Sequence, residues 1–230
     1  MSILAILLHI DTATEKAGVC ISQDEKVLAI ETNDAQKNHA SFVQPAIQAL
    51  LNNTGIVRSQ IDAISVTAGP GSYTGLRVGM ATAKGLAYAL NKPLILKNTL
   101  EVMAYAAIQD SLVVGQINAN MLFCPMIDAR RMEVFTGLYD ARLQIVTPPY
   151  ALILEPDSFD SYLIDNNITF SGNGHCKYKE IIQNKKVIFT DVKHDVNHLS
   201  ILAFNAYLHK QFADIAYSEP FYLKEFFTAK

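Results

Sequence analysis

The sequence predicts an α/β protein in which a mixed β-sheet carries helices on its faces. An apolar run rich in Ile and Leu at residues 3–10 is followed by two segments of alternating polarity, AGVCISQ and KVLAIET. These three segments indicate strands in a meander. Segments of helical and strand periodicity then alternate over residues 38–110. Because crossover helices bring later strands in parallel, the sheet is expected to be mixed and covered by helices.

The alternating segments can be assigned in order. NHASFVQPAIQALLNNTG is predicted to be a helix, with Asn38 as its cap and Gly55 just past its end. Pro45 is expected either to kink this helix or to mark its real start. Residues 61–69 form a buried strand, and Ser72 is the expected N-cap of the following helix, SYTGLRVGMATAKGLAYAL. PLILKN and LEVMAYAAIQD complete the pattern as a strand and a helix.

The second half of the chain contains the predicted strand segments MLFCPMIDARRMEVFTGLYDA and QIVTPPYALIL, a glycine turn FSGNGH and a helix HLSILAFNAYLHKQF. No Pro-, Gly- or Ser-rich linker separates the halves, which favours two packed lobes. We place the first lobe at residues 1–104, completed by the helix at 198–212, and the smaller second lobe at 105–197. Residues 213–230 are expected to form a C-terminal tail.

Composition excludes several classes of protein. The 19 Lys and Arg residues are scattered and the net charge is −3, so autonomous binding to nucleic acid is disfavoured. Cys20, Cys124 and Cys176 are far apart and form no C-x-x-C pair, which indicates reduced packing residues of a cytosolic protein. No run of about 18 uncharged apolar residues occurs, so no membrane span is predicted.

The glycine-rich stretch AGPGSYTGLRVG, at residues 68–79, fits neither of the common phosphate-binding motifs. A P-loop needs Lys and Ser or Thr after its last glycine, whereas Leu76 follows Gly75. The spacing of Gly69, Gly71 and Gly75 also differs from G-x-G-x-x-G by one residue. The motif alone therefore gives no specific support for nucleotide binding.

A weaker anion site is still open at this turn. Free N–H groups at the start of a helix attract anions, which makes Gly69 and Gly71 candidate nucleotide contacts. Asp11 and Thr12 end the first strand, where a carboxylate and a hydroxyl can face a phosphate or a metal ion. Asp and Thr are also ordinary turn residues, so the assignment stays open.

The second long helix has a face of very small residues. Gly75, Gly79 and Ala83 recur every four residues, which leaves nearly bare backbone on that side. Each glycine inside a helix costs about 1 kcal/mol relative to alanine, so a packing partner must offset that loss. We interpret this face as a close seam with another helix, inside the monomer or across a subunit boundary.

A metal site at His194 and His198 is disfavoured. Their spacing is that of two zinc ligands on one helical turn, but Asp195 stands where H-E-x-x-H has its general-base glutamate. Asn197 is a candidate cap of a helix starting at His198, which would leave His194 outside it. No motif for Ser/His/Asp or Cys/His catalysis is present.

Seven motifs spread along the chain resemble those of one protein family. They are ILLHIDTAT, NHASFVQPAI, TAGPGSYTGLRVGMATAKGLA, NTLEVMA, MIDARRMEVFTGLYD, FSGNG and EPFYLK. Their order and sequence resemble the TsaB family, also called YeaZ. The glycine block is the most specific of them, and the last third of the chain matches more loosely.

The resemblance implies an actin-like ATPase (ASKHA) fold of two lobes and a role as a partner subunit in the cytoplasm. Members of this family pair with the catalytic subunit TsaD, the ATPase TsaE joins them, and TsaC supplies threonylcarbamoyl-adenylate. The product is N6-threonylcarbamoyladenosine beside the anticodon of tRNAs that read codons starting with A. The resemblance further implies a homodimer when the chain is alone, and contact with tRNA only through the complex.

The resemblance also implies a subunit without catalytic residues. TsaD-like subunits hold a metal ion with a His-x-x-x-His pair on the first helix. Here the residue four positions after His39 is Val43. One imidazole does not make such a site. Ala13 replaces the glycine usual in the phosphate loop of this fold. No cofactor is therefore expected to be required, and weak nucleotide binding at Asp11, Thr12, Gly69 and Gly71 is left open.

The docking seam is expected on the first two helices. Its residues or their support are predicted to be His39, Phe42, Val43, Ala46, Ile47, Tyr73, Gly75, Leu76, Gly79, Met80 and Ala83. Two alternatives stay open. An autonomous ATP-dependent enzyme of the sugar-kinase type would bind nucleotide tightly at Asp11 and Thr12, and a metallopeptidase would hold stoichiometric metal at His194 and His198.

Overall fold

The chain folds as two units. The computed structural model describes residues 4–34, 39–115, 117–118 and 120–224. Unit 1 comprises the described residues up to Thr99 together with Asp195–Phe221, and unit 2 comprises Leu100–His194 together with the described residues from Tyr222 onward. The boundary lies at residues 99 and 100, beside the sequence-based boundary at 104 and 105. Residues 213–221, assigned from sequence to a separate tail, belong to unit 1.

The described residues contain ten strands and six α-helices. The strands are β1 (Ile6–Asp11), β2 (Ala17–Gln23), β3 (Lys26–Asn33), β4 (Ala63–Gly69), β5 (Leu94–Asn98), β6 (Met121–Asp128), β7 (Glu133–Asp140), β8 (Ile145–Ile153), β9 (Asn167–Ser171) and β10 (Val187–Phe189). The helices are α1 (His39–Thr54), α2 (Tyr73–Leu90), α3 (Thr99–Val113), α4 (Asp160–Leu163), α5 (His175–Lys179) and α6 (Val196–Leu208), with a short 3-10 helix at Arg58–Gln60. None of the helices in these described segments is both long and apolar enough to cross a bilayer.

Each unit is built on one five-stranded mixed sheet. The sheet of unit 1 has the order β3-β2-β1-β4-β5, and that of unit 2 has the order β10-β9-β6-β7-β8. In both sheets the first three strands along the chain pair antiparallel, the fourth pairs in parallel with the first, and the fifth pairs in parallel with the fourth. The predicted meander and the predicted fold class, two lobes with mixed sheets flanked by helices, are confirmed.

The sheet of unit 1 is covered on both faces. Helices α1 and α2 pack on one face, where the buried core includes Leu8, Ile10 and Val66. Helix α6 packs on the other face, over a cluster that includes Leu7 and Phe204. Because β1 lies between these two layers, all of its residues except the first are buried.

The N-cap of α2 is the one that the sequence predicts. The Ser72 side chain accepts a hydrogen bond from the Gly75 N–H over 3.2 Å, and Asn91 ends the helix in the left-handed conformation at φ 50°. Helix α1 begins at His39, the residue that follows the predicted cap, and continues through Pro45, so the proline does not mark its start. The expected cap Asn38 lies outside the described residues.

Helix α6 begins two residues earlier than predicted, at Val196. Its N-cap is Asp195, whose Oδ1 accepts hydrogen bonds from the N–H groups of Asn197 at 3.0 Å and His198 at 3.4 Å. The Asp195 N–H donates in turn to Nδ1 of His198 over 3.1 Å, which completes a capping box. Asn197 is therefore inside the helix and is not its cap.

The hydrophobic cores of unit 1 and unit 2 differ in composition. Unit 1 is mostly aliphatic, whereas one face of the unit 2 sheet holds an aromatic cluster of Phe159, Phe170 and Tyr178. The ring centroids of Phe159 and Phe170 are 5.2 Å apart in an edge-to-face arrangement. Leu100, Phe123 and other apolar residues of α3, β6 and β7 form the second core of this unit.

We expect the Asp195 cap to make the stability of unit 1 depend measurably on pH. Burial acts to raise the pKa of Asp195, but hydrogen bonds and charge from His198 and the amides of Asn197 lower it to about 2. The pKa of Asp195 is lower in the folded state than in the unfolded state, so the ionised carboxylate stabilises the fold. This stabilisation is present above about pH 4 and is lost as the pH falls towards 2. Asp195→Ala should therefore lower the free energy of unfolding by about 1 kcal/mol near neutral pH.

Urea unfolding at several pH values measures this effect. The difference between the wild type and Asp195→Ala should shrink steadily as the pH is lowered from about 4. Asp195→Asn is the matched control, because asparagine caps a helix well but does not titrate. An alanine variant as stable as the wild type near neutral pH would contradict the assigned cap.

Candidate functional site

The loop between β1 and β2 lies directly against the start of α2. The Thr12 hydroxyl donates a hydrogen bond to the Gly75 carbonyl over 2.8 Å, and the Ser72 N–H donates to the Ala13 carbonyl over 2.7 Å. A Cβ atom at Gly75 would overlap the carbonyl oxygen of Thr12. At Gly71 it would overlap the Ala13 carbonyl. The glycine turn is thus needed for close approach of the chain's own backbone.

The small-residue face of α2 continues this contact along the helix. A Cβ atom at Gly79 would overlap the Thr12 hydroxyl and touch Val66 on β4. Ala83, one turn further, is completely buried in the core beside β4. This face is therefore packed inside the monomer and mainly on a loop and a strand, so the expected close seam with another helix is wrong. The packing partner that offsets the cost of the glycines is the β1–β2 loop and β4.

Most of the predicted interface residues lie inside unit 1. The buried ones are His39, Val43, Ala46, Ile47, Gly75, Leu76, Gly79, Met80 and Ala83, whereas Phe42 and Tyr73 are half-buried. This corrects the interpretation of the glycine face, because side chains turned towards the core do not touch a second subunit. The buried residues can support a docking surface from beneath, and whether α1 and α2 dock onto a partner stays a prediction.

The surface of α1 and α2 that is available to a partner lies opposite the buried side. We call it the outward face and define it by residues Ala40, Ser41, Gln44, Pro45, Gln48, Thr74, Arg77, Ala81, Gly85, Tyr88 and Ala89, all of which are exposed. The Arg77 guanidinium lies over the Tyr73 ring at 3.9 Å from its centroid, and Tyr88 is 81% exposed. Sequence reasoning missed this face because Ala81, Gly85 and Ala89 repeat the spacing of the buried glycines.

The four candidate nucleotide contacts lie near the ends of β1 and β4. The Asp11 carboxylate is buried and accepts hydrogen bonds from the Thr67 hydroxyl at 2.8 Å and the Ala13 N–H at 3.1 Å. The Thr12 hydroxyl is already bonded to α2. Gly69 lies against the backbone of Phe221, whose N–H donates to the Ala68 carbonyl over 2.6 Å. Internal bonds thus engage the side chains of Asp11 and Thr12, and nucleotide binding at the four residues stays a prediction.

The histidines of unit 1 have structural contacts. His39 is buried, and its Nε2 lies 3.0 Å from the Thr14 carbonyl oxygen. The side chain of His198 belongs to the capping box of α6. Throughout residues 4–34, 39–115, 117–118 and 120–224, no three His, Cys, Asp or Glu side chains are grouped so that they could hold a metal ion. His194 and His198, the ligands of the metallopeptidase alternative, are therefore part of no such group in these residues.

Comparison with known proteins gives matches over nearly the whole chain. The family model described as TsaD, tRNA N6-adenosine threonylcarbamoyltransferase, matches residues 29–226. The tRNA threonylcarbamoyladenosine biosynthesis protein TsaB of Bacillus subtilis is 31% identical over 225 residues, which cover 95% of this chain and 93% of that protein. The protein of the same name from Haemophilus influenzae is 30% identical, over 97% of this chain and 95% of its own length. The solved structure of YeaZ from Pseudomonas aeruginosa has a TM-score of 0.74 at 26% identity, and covers 95% of this chain and 100% of that one.

A glycine-to-alanine substitution should change the stability of the protein in opposite directions on the two sides of α2. Gly75→Ala places a methyl group against the Thr12 carbonyl and should destabilise the protein by roughly 1–3 kcal/mol, because the backbone must move. Gly85→Ala meets no atom within 4 Å. It should stabilise the protein by roughly 0.5–1 kcal/mol through helix propensity. Thermal and urea unfolding of both variants measure the difference, and equal stabilities would refute the inward orientation of Gly75.

Proposed function

We propose that this chain, which belongs to the TsaB (YeaZ) family of tRNA threonylcarbamoyladenosine biosynthesis proteins, pairs with TsaD and activates it. The reaction so assisted forms N6-threonylcarbamoyladenosine next to the anticodon of tRNAs that read codons starting with A. In this role the chain is a subunit without catalytic residues of its own.

The observation that carries the pairing proposal is Gly85. It lies in the middle of α2, where glycine costs about 1 kcal/mol relative to alanine. Apart from its chain neighbours and the adjoining backbone of α2, no atom of the described chain lies within 4 Å of where its Cβ would be, so no packing contact in this part of the protein accounts for the glycine. Ala81 and Ala89 lie one turn to either side on the same exposed stripe. A helix of a second subunit lying close along this stripe would account for all three.

Two features support a role without catalysis. Val43, which stands where a second metal-binding histidine would be, is completely buried in the core of unit 1. The polar groups of Asp11 and Thr12 are engaged in internal hydrogen bonds. We propose that pairing requires no cofactor held by this chain. Weak nucleotide binding at Asp11, Thr12, Gly69 and Gly71 is a separate prediction, which titration with ATP tests directly.

The proposal includes the other partners that the family resemblance implies. TsaE joins the pair, TsaC supplies threonylcarbamoyl-adenylate, and tRNA is reached only through the complex in the cytoplasm. Alone, the chain forms a homodimer through the same outward face. A surface shared by the two assemblies makes homodimer and heterodimer mutually exclusive, since one patch cannot pack on two partners at once.

Gly85→Trp should weaken pairing with TsaD. The indole projects from the exposed stripe and would separate the two helices, so the affinity for TsaD should fall by roughly tenfold or more. Mass by light scattering measures assembly, both of the chain alone and of its mixture with TsaD. Formation of N6-threonylcarbamoyladenosine on tRNA, with TsaE and TsaC present, measures activation.

Gly85→Ala is the graded comparison, because its single methyl group should weaken pairing with TsaD less than the indole does. Thermal unfolding of the tryptophan variant alone separates lost docking from lost folding, because a side chain in open space should leave the unfolding temperature nearly unchanged. Normal pairing and activation by Gly85→Trp would show that the outward face of α2 is not the docking surface.

A further inference from the structure

The turn between β6 and β7 places two consecutive arginines in an unfavourable backbone conformation. Arg130 has φ 73° and Arg131 has φ 48°, both in the left-handed region. Backbone hydrogen bonds hold this turn: the Ala129 N–H donates to the Glu133 carbonyl and the Glu133 N–H to the Arg130 carbonyl, both over 3.0 Å. Left-handed conformations cost residues other than glycine roughly 1–2 kcal/mol each. Glycine or asparagine would suit both positions better, so the shape of the turn alone does not explain the two arginines.

The acidic side chains beside these arginines are neutralised by lysines. The Lys177 ammonium donates to Asp128 Oδ1 over 2.6 Å, and the Lys224 ammonium donates to Glu133 Oε2 over 2.6 Å. Partial burial acts to raise the pKa of Asp128, but the hydrogen bonds from Lys177 and from the Arg130 N–H hold it below its usual value. Each carboxylate of the turn therefore has its own counter-ion, and neither neutralises an arginine.

The guanidinium groups of Arg130 and Arg131 are available to bind an external anion. Both residues are exposed, and within the described part of the chain neither side chain has a hydrogen bond or an ion pair. The turn thus presents two positive charges next to each other, in a chain whose net charge is −3. Arginine suits anion binding because its planar guanidinium group binds phosphate oxygens through two parallel hydrogen bonds.

We propose that Arg130 and Arg131 bind the phosphate backbone of the tRNA on which the complex acts. This inference rests on the proposed function, which makes tRNA the polyanion that the assembled subunits handle. RNA fits the pair because it carries a phosphate at every nucleotide, so both guanidinium groups can be used at once. The contact adds affinity to a complex that already holds the tRNA, which agrees with a chain too acidic to bind nucleic acid strongly by itself.

Arg130→Asn/Arg131→Asn removes both charges and keeps a residue that tolerates the left-handed turn. Arg142→Asn is the matched control, because Arg142 is also exposed and lies in the turn at the other end of β7. Binding of unmodified tRNA to each variant mixed with TsaD is measured by fluorescence anisotropy at several salt concentrations. The double variant should bind roughly tenfold more weakly, and its salt dependence of log K should be shallower by about 2, about 1 for each phosphate contact. Arg142→Asn should match the wild type.

Assembly with TsaD is followed in parallel by light scattering, so that the two proposals fail in different ways. A double variant that binds tRNA with the wild-type affinity and salt slope overturns the phosphate contact. A double variant that loses TsaD while keeping its own unfolding temperature shows that the arginines bind an acidic protein surface instead, which also overturns it. If the wild type does not assemble with TsaD, the proposed function fails. The tRNA comparison is then made on the chain alone at low salt, where an unchanged slope overturns the contact independently.

Discussion

The contact between the β1–β2 loop and the first turns of α2 is the constraint on which unit 1 depends. Thr12 and Ala13 approach α2 so closely that Gly71, Gly75 and Gly79 have no room for a side chain. This approach fixes the distance between β1 and the helix, and β1 is the central strand of the sheet. The side of α2 that faces outward is therefore determined by the glycines on its opposite side.

Much of the fold could be predicted from sequence because its elements are long and periodic. The meander, the strand at β4 and helix α2 with its cap Ser72 all follow from hydrophobic spacing and capping residues. The shorter elements of unit 2 were not predicted. Helix α5 has five residues and β10 has three, which is too few for a period of 3.6 or 2 to be recognised.

The candidate site could be predicted only in part, for a different reason. Small residues line both sides of α2, with Gly75, Gly79 and Ala83 on one and Ala81 and Gly85 on the other. Periodicity shows that a face exists, but it does not show which face packs on the sheet. That depends on the distance to the β1–β2 loop, a contact between residues more than sixty positions apart in the chain.

The order in which the chain visits the two units limits how the protein can be divided. It leaves unit 1 after Thr99, returns at Asp195 and leaves again after Phe221. A fragment ending at Thr99 would lack α6, and the apolar sheet face that includes Leu7 would lie open to water. A fragment of residues 100–194, which is most of the second unit, would lack Lys224, the counter-ion of Glu133. No contiguous stretch thus holds a whole unit, and recombination between relatives at a single crossover would exchange incomplete units.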